Sequence, residues 1–259
     1  MSTAVSASYR VLVAGSTGAC GQAIVQELAT APKCREVLAL CRRNVSFSRS
    51  DSSKVRLIVL EDFNDLVVEP ERRRNKECPL WGLTEVDAAV CALGTTMKDA
   101  GGSQEAFRRV DHDYVCGFVK TAIGCGARRI ALVSSSGASA RSTFFYMRVK
   151  GETEDEVQRL CNEHGVALHV LRPAMLLTPP RTSGSRRLAE NLAQRIVKTL
   201  RLSMGGSLAV SVAQVARTVR VALEEDPTTV VQAYGAQERA SQSWVYPSRT
   251  IYRLGLGTA

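Results

Sequence analysis

Residues 134–150, SSSGASARSTFFYMRVK, contain the side-chain types that can move a proton beside a carbonyl group. Tyr146 and Lys150 are four residues apart in a segment, 144–163, whose apolar spacing predicts a helix, so their side chains share one face of it. A phenol with its ordinary pKa of about 10 is a poor acid or base at neutral pH, and a nearby ammonium lowers that value. The phenol can then protonate a carbonyl oxygen as hydride arrives, while a serine hydroxyl holds the same oxygen. The alternative interpretation is a Tyr–Lys pair on a surface helix, which arises often by chance.

Segments with strand and helix patterns alternate along the chain and predict where these side chains lie. The predicted strands are residues 9–15, 36–41, 54–60, 87–94, 128–134 and 166–173, and the predicted helices are 23–31, 103–124 and 144–163. This alternation predicts an α/β fold of the Rossmann type, doubly wound, with a mostly parallel sheet and helices on both faces. The serines follow the fifth strand, at the carboxyl edge of the sheet where such folds bind ligands.

The whole chain, residues 1–259, is predicted to form a single NAD(P)-binding domain with its core at about 9–175. The remainder, about 176–259, is expected to cover the substrate and to supply the last strand. It has helical patterns at 185–203 and 212–225 and a strand pattern near 229–233, and Trp244 and Tyr246 either line the substrate pocket or belong to the core. Between the third and fourth strands, the long charged stretch 65–82 predicts a short helix and a surface loop.

A glycine-rich turn, GSTGACG, joins the first strand to the first helix. Gly15, Gly18 and Gly21 are spaced so that the chain can turn sharply, the backbone can approach a pyrophosphate, and the helix can pack closely on the sheet. The N–H groups at the start of the helix then face the phosphates. The strand–turn–helix context favours this interpretation over a tight turn without a ligand.

The end of the second strand predicts which dinucleotide is bound. An NAD site usually has an acidic residue about 20 residues beyond the last glycine, and here that position is Arg42, followed by Arg43. A guanidinium binds a 2′-phosphate that a carboxylate would repel, so the sequence predicts NADP(H) rather than two exposed loop arginines. Asp62, after the third strand, is placed to reach the adenine amino group. Leu93 and Gly94 close the fourth strand, where a glycine lets the backbone lie against the cofactor.

Composition and terminal patterns exclude several classes of protein. Hydrophobic residues make up 45% of the chain and charged residues 23%, which is ordinary for a globular protein and unlike a disordered one. No apolar run reaches the roughly 18 residues of a membrane span. The first residues lack a secretory pattern and the last carry no peroxisomal or retention address, so we expect a cytoplasmic protein, with the nucleus as the second location.

Neither cysteines, histidines nor basic residues are spaced in a way that indicates a further site. The eight cysteines and three histidines lack the spacing of metal ligands or of a disulfide framework, so we expect no metal. The net charge of +9 comes in short arginine clusters without an aromatic-rich or helix-turn-helix pattern. We therefore expect no nucleic-acid partner.

In these motifs the chain resembles the short-chain dehydrogenase/reductase superfamily, and more narrowly its atypical branch of Tat-interacting-protein-type oxidoreductases. The resemblance covers about residues 9–180 and rests on GSTGACG, LCRR, CALGTT, FRRVDHDYV, LVSS, YMRVKGE and LRPAMLL, in this order. It implies Ser135 as the catalytic serine, with Ser134 as the alternative, beside Tyr146 and Lys150. It also implies that NADPH is bound by Thr17, Gly18, Ala19, Cys20, Arg42, Arg43, Leu93, Gly94, Tyr146, Lys150 and Leu176.

Two features depart from relatives of the superfamily. Asp111 stands in the helix region where conventional members carry a catalytic asparagine, which argues against their proton relay. Many relatives dimerise through the helix that holds the Tyr–Lys pair, but here most of its surface is polar. One apolar stripe remains, formed by Val149, Val157, Leu160 and Cys161. The polar positions are Glu152, Glu154, Asp155, Glu156, Gln158 and Arg159. We expect a monomer or a weak dimer.

The sequence thus predicts an NADPH-dependent oxidoreductase that transfers hydride to or from a small carbonyl or alcohol substrate by means of Ser135, Tyr146 and Lys150. The alternative hypothesis is an NADPH-binding regulatory or scaffold protein with little or no turnover, because the resembling branch is associated with regulators. Such a protein would act through protein partners.

Overall fold

The computed structural model describes residues 8–45, 47, 52–68, 80, 82–178 and 209–257. The strands are β1 Tyr9–Ala14, β2 Cys34–Cys41, β3 Val55–Val59, β4 Ala88–Cys91, β5 Arg129–Val133, β6 Ala167–Arg172, β7 Met175–Leu177, β8 Ala209–Ser211, β9 Gln237–Ala240 and β10 Ser243–Pro247. The helices are α1 Ala19–Thr30, α2 Gln104–Arg108, α3 Tyr114–Gly124, α4 Phe145–His164, α5 Val212–Glu224, α6 Pro227–Tyr234 and α7 Ser248–Leu256. A π-helical turn, Arg109–Asp113, joins α2 to α3, and 3-10 helices span Ser52–Lys54 and Phe63–Leu66.

Among the described residues, eight strands form one sheet in the order β3-β2-β1-β4-β5-β6-β10-β9. Every neighbouring pair is parallel except β9 and β10. This arrangement confirms the predicted Rossmann-type fold. The order reverses between β1 and β4, so the carboxyl ends of these strands open the crevice in which such sheets bind ligands.

Both faces of the sheet are covered by apolar helix faces. Phe118 of α3 and Leu160 of α4 pack on one face, while Leu28 of α1, Val219 of α5 and Ile251 of α7 pack on the other. Each such buried side chain contributes about 1.5–3 kcal/mol relative to an exposed one. The strands between these layers are almost continuously apolar because both of their faces are buried.

The C-terminal part differs from the sequence prediction. The strand expected near 229–233 is wrong, because these residues belong to α6. Asp226 caps this helix by accepting hydrogen bonds from the Thr228 and Thr229 amides, Pro227 takes the first helical position, and Gly235 ends it with a φ of 75°. The last strands are instead β9 and β10. The predicted helix at 185–203 and most of the predicted loop at 65–82 lie outside the described residues.

Candidate active site

The glycine turn after β1 forms a backbone cradle at the carboxyl edge of the sheet. Gly15 has a φ of 76°, and a Cβ atom there would clash with the backbone of Ala92, just beyond β4. A Cβ at Gly21 would clash with the Gly15 carbonyl, whereas one at Gly18 would be in ordinary contact with it, at 3.4 Å. Two of the three glycines are therefore sterically required by the fold itself. A cradle without side chains suits the close approach of a pyrophosphate.

The first turn of α1 is open to a ligand. Gly18 is its N-cap, and no described side chain caps the helix. Thr17 is exposed, and Ala19 and Cys20 are partly exposed. Ser16 is buried and donates to the Leu40 carbonyl at 2.7 Å, which ties the turn to β2. Burial raises the pKa of the Cys20 thiol to about 11, so this cysteine is a neutral wall of the cradle rather than a nucleophile.

Arg42 and Arg43 lie beyond β2 with exposed side chains, and neither guanidinium is paired with a carboxylate among the described residues. They are available for an anionic ligand at the adenosine end of the crevice. Asp62 is exposed and accepts a hydrogen bond from the Asn64 amide at 2.9 Å, capping the short helix that follows β3. The Tyr114 hydroxyl donates to Asn64 at 2.9 Å and fixes this helix against α3.

Tyr146 and Lys150 lie on the same face of α4, as the spacing predicts. The Tyr146 ring is half-buried and packs on Phe107 with ring centroids 5.6 Å apart. Lys150 is buried, and its Nζ atom lies 2.7 Å from Oδ1 of Asp111, whose side chain has no exposed surface. The other carboxylate oxygen accepts the Thr95 amide at 2.7 Å. This buried ion pair was not predicted from the sequence, although the position of Asp111 was noted there.

The charge of Lys150 depends on this partner. Burial acts to lower the pKa of Lys150, but the Asp111 carboxylate raises it above the ordinary lysine value. The ammonium is therefore kept protonated in a place with almost no water. Along α4 this ammonium group lies one turn from the Tyr146 phenol, and the Asp111 carboxylate holds it in place.

A π-helical turn brings Asp111 to this position. Residues Arg109–Asp113 form the turn, which inserts an extra residue between α2 and α3. The backbone carbonyl of Asp111 accepts a hydrogen bond from Thr153 Oγ1 on α4, at 2.9 Å. Gly94 faces the ion pair, since a Cβ there would lie 3.4 Å from the Asp111 carboxylate and 3.5 Å from Lys150 Nζ. The absence of a side chain at Gly94 thus leaves room beside the charged pair.

The two candidate serines have different surroundings. Ser134 is buried, and its hydroxyl donates to Oε1 of Glu154 at 2.5 Å. Ser135 is partly exposed, and its hydroxyl makes only a long contact, 3.4 Å, with the Ser136 carbonyl. Ser135 can therefore turn its hydroxyl to a ligand, whereas Ser134 cannot do so without abandoning a buried carboxylate.

Glu154 is a buried residue that the sequence analysis placed on the helix surface, and that interpretation is wrong. Its carboxylate has no exposed area and accepts from Arg172 Nε at 3.0 Å and Nη2 at 2.5 Å, and from Arg239 Nη1 at 3.0 Å. The sequence did indicate that Glu154 is on the buried face, because it is three residues before Val157 and seven before Cys161. Both of these belong to the predicted apolar stripe. A buried charge needs such partners, and here they come from β6 and β9.

The remaining predicted residues are held by the apolar layers. Leu93 and Gly94 do not close β4 as predicted, because the strand ends at Cys91, and Leu93 packs, partly buried, against one apolar layer. Leu176 of β7 packs against the layer on the other face. Tyr246 belongs to the core, where its hydroxyl lies 2.9 Å from Nδ1 of the buried His169, and Trp244 stacks on the same imidazole.

Within the described residues there is no cluster of three potential metal ligands, and no helix is long and apolar enough to cross a membrane.

Comparison with curated proteins finds relatives over most of the chain, although no family model matches it. The chain is 32% identical over 188 residues to the protein FMP52, mitochondrial, of Candida albicans, which covers 73% of each protein. It is 31% identical over 209 residues to the protein HTATIP2 of Rattus norvegicus, which covers 81% of this chain and 78% of that protein. FMP52 of Saccharomyces cerevisiae is 34% identical over 168 residues, 64% of this chain and 65% of the relative.

Solved structures share the fold at low sequence identity. MoeE5 in complex with UDP-glucuronic acid and NAD has a TM-score of 0.59 and 17% identity, over 92% of this chain and 76% of that one. A short chain dehydrogenase family protein from Francisella tularensis has a TM-score of 0.55 and 14% identity, over 84% of this chain and 91% of that one. These likenesses show the fold.

The relatives correct the expected location. The FMP52 proteins of Candida albicans, Saccharomyces cerevisiae and Eremothecium gossypii are named mitochondrial. These names contradict the cytoplasmic or nuclear location expected from the sequence, and that expectation is wrong. It rested on a missing secretory pattern and a missing C-terminal address, and neither absence distinguishes the cytoplasm from the mitochondrion.

Proposed function

The chain belongs to the atypical short-chain dehydrogenase/reductase family of HTATIP2 and FMP52, and from this premise we propose that it is an NADP(H)-dependent oxidoreductase acting on a carbonyl or alcohol. Its Rossmann-type fold and family support a nicotinamide cofactor. The observation that carries the proposal is the placement of Tyr146 and the buried Lys150 on one face of α4, with Lys150 Nζ beside the side-chain-free Gly94.

Each residue of the site has a role in this proposal. When bound, the cofactor supplies or accepts the hydride. Tyr146 gives its hydroxyl proton to the carbonyl oxygen, or removes the proton from an alcohol in the reverse direction. Ser135 donates a hydrogen bond to the same oxygen and fixes it beside the phenol. Lys150 holds the nicotinamide ribose with the N–H groups that Asp111 leaves free.

The remaining predicted residues hold the dinucleotide. Gly15 and Gly21 keep the cradle free of side chains, and the first turn of α1 offers N–H groups to the pyrophosphate. Arg42 and Arg43 bind the 2′-phosphate, and Asp62 contacts the adenine. The two exposed guanidinium groups without described carboxylate partners support NADP(H) over NAD(H).

Parallel titrations of NADPH and NADH, followed by fluorescence, test the cofactor assignment. We expect a strong preference for NADPH, and we expect the Arg42→Ala/Arg43→Ala double variant to lose it, since two charge-assisted contacts with the 2′-phosphate disappear. The loss should be about a hundredfold in NADPH affinity with little change for NADH. Equal binding of both nucleotides by the native protein would refute the assignment.

Turnover is tested with Tyr146→Phe, which keeps the ring on Phe107 and removes only the hydroxyl. With NADPH and a panel of small aldehydes and ketones, we expect nearly unchanged NADPH affinity and loss of most of the turnover. Full activity in this variant would end the proposed mechanism.

A second candidate function is an NADPH-binding regulator with little or no turnover. One observation favours it: the Asp111 carboxylate pairs with the buried Lys150, and a lysine held in this way can serve the ribose of NADPH alone. A change in proteolytic protection on NADPH binding, without oxidation of NADPH by any tested substrate, would identify this function.

The location and the assembly state are also proposals. The mitochondrial names of the FMP52 relatives support a mitochondrial location, which cell fractionation would check.

The charged outer face of α4, with Arg159 paired to Glu156 and Glu163, supports a monomer or weak dimer. A tight dimer observed by sedimentation at micromolar protein concentration would contradict the proposed assembly state.

A further inference from the structure

A cavity lies beside α4, next to the helical turn that follows Tyr146 and Lys150. Its volume is about 330 Å³, and neither of those residues lines it. Its walls are the loop 138–141, the α4 residues Gly151, Glu154 and Asp155, Arg172 at the end of β6 and Arg239 on β9. This volume is within the usual range of small-molecule sites, roughly 300–1,000 Å³.

The cavity presents positive charge. Three guanidinium groups line it, those of Arg141, Arg172 and Arg239, against the carboxylates of Glu154 and Asp155. The Glu154 side chain has no exposed area and is paired with Arg172 and Arg239, while Asp155 is about half exposed and paired with Arg239, so three positive and two negative groups leave one net positive charge. A ligand in the cavity therefore faces more positively charged hydrogen-bond donors than negatively charged carboxylates.

Several of these donors have no partner within the described part of the chain. Arg141 is exposed and its guanidinium makes no hydrogen bond there. Arg172 uses Nε and Nη2 on Glu154, which leaves Nη1, and Arg239 uses Nη1 and Nη2, which leaves Nε. The planar guanidinium matches the geometry of carboxylate and phosphate oxygens.

Two of the three arginines and the loop of the cavity are held in place before a ligand arrives, whereas Arg141 is exposed. Glu154 fixes two of the arginines from below by hydrogen bonds. The loop lies directly on α4 because Gly151 has no side chain, and a Cβ there would clash with the backbone of Ser139 and Ala140. The Ser139 amide also donates to the Met147 carbonyl at 3.0 Å. Arginines that are fixed before binding lose little freedom when a ligand arrives.

We propose that this cavity binds a small metabolite through its carboxylate or phosphate group, at a site separate from the dinucleotide crevice. Arg141 supplies the guanidinium without a described partner, and Arg172 and Arg239 supply one further donor nitrogen each. Through Glu154 the site contacts Ser134, the neighbour of Ser135. The proposal does not depend on turnover or on the identity of the cofactor.

Calorimetric titration with citrate and with inorganic phosphate tests it, in the Arg42→Ala/Arg43→Ala background so that the exposed arginine pair of the crevice does not contribute. We expect saturable binding of at least one probe, and about tenfold or weaker affinity in Arg141→Gln, which removes an exposed guanidinium without disturbing the fold. The matched control is Arg128→Gln, another exposed loop arginine without a described side-chain partner, which should bind as the parent does.

Each outcome decides the proposal. Arg141-dependent binding of citrate alone identifies a carboxylate ligand, and Arg141-dependent binding of phosphate alone identifies a phosphate ligand. Failure of both probes to bind would overturn the proposal. Binding that Arg141→Gln leaves unchanged, or that Arg128→Gln weakens equally, would also overturn it, because the anion would then be held by general surface charge.

Discussion

The two adjacent serines after β5 differ in what their hydroxyls contact, and this difference separates a structural from a chemical role. Ser134→Ala removes a donor from the wholly buried Glu154 carboxylate, so we expect the free energy of unfolding to fall by about 1–3 kcal/mol. Ser135→Ala removes only a long, partly exposed contact and should change stability by less than about 0.5 kcal/mol.

Turnover should show the opposite pattern for these serines. If the proposed function holds, Ser135→Ala lowers turnover about a hundredfold by removing a donor to the substrate oxygen. Urea unfolding and NADPH oxidation, measured on both variants, check the pair of expectations. A Ser134→Ala protein that unfolds like the parent but has lost turnover would reverse the assignment.

The ion pair between Asp111 and Lys150 should be strongly coupled in stability. Removing one partner of a buried pair leaves an uncompensated charge, so Asp111→Asn and Lys150→Met should each cost about 3 kcal/mol. The double variant contains neither charge. We expect its loss of unfolding free energy to be smaller than the summed losses of the two single variants, by about 1 kcal/mol or more. Urea unfolding of the four proteins measures this coupling, and strictly additive effects would mean that the two charges do not interact in solution.

At the scale of elements, caps and insertions explain where prediction from the sequence succeeded and failed. The continuous apolar strands and the glycine turn are local patterns, so β1 to β6 could be predicted. The segment 229–233 has a strand-like composition, but Asp226, Pro227 and Gly235 bracket it with helix caps, and these local signals outweigh β propensity. The π-helical turn that aims Asp111 at Lys150 inserts one residue into a regular helical pattern, which apolar spacing does not reveal.

The contact between α4 and the loop 138–141 depends on one helical glycine. A side chain at Gly151 would clash with the backbone of Ser139 and Ala140, so we expect Gly151→Ala to lower the unfolding free energy by about 1–3 kcal/mol, since backbone must shift. The control is Gly124→Ala in α3, where no atom lies within 4 Å of the added Cβ. There alanine should stabilise by up to about 1 kcal/mol through its higher helix propensity.

Thermal and urea unfolding of both glycine variants compare an obstructed with an open position. A Gly151→Ala protein as stable as Gly124→Ala would show that the loop is free to move away from α4. The preformed cavity between them would then lose its main support.

At the scale of the whole molecule, the parts of the site that the sequence does not predict are contacts between distant residues. The carboxyl edge of a parallel sheet collects the ends of β1, β2, β4 and β5, so the cradle, the arginine pair and the serines could be located from strand positions alone. Glu154 and Arg239 are 85 residues apart, and β9 meets α4 only once β10 has joined β6. Such a pairing depends on the order of strands, which no local pattern specifies.

His169 makes the stability of the whole molecule sensitive to acid. Burial, followed by the charge of Arg129, lowers its pKa to about 3, so it is neutral in the folded protein, whereas in the unfolded chain it takes up a proton near pH 6.5. Between these values the unfolded state binds the extra proton, so stability falls as the pH falls, by about 1.4 kcal/mol per unit from this residue alone.

His169→Gln removes the titration and should show a shallower decline of unfolding free energy between pH 6.5 and about 3, even if its stability at pH 7 is lower. Tyr246→Phe removes the hydroxyl partner but keeps the imidazole, so its slope should match that of the native protein. Urea unfolding at half-unit pH intervals measures the three curves, and parallel curves for His169→Gln and the native protein would mean that this buried histidine does not govern the acid response.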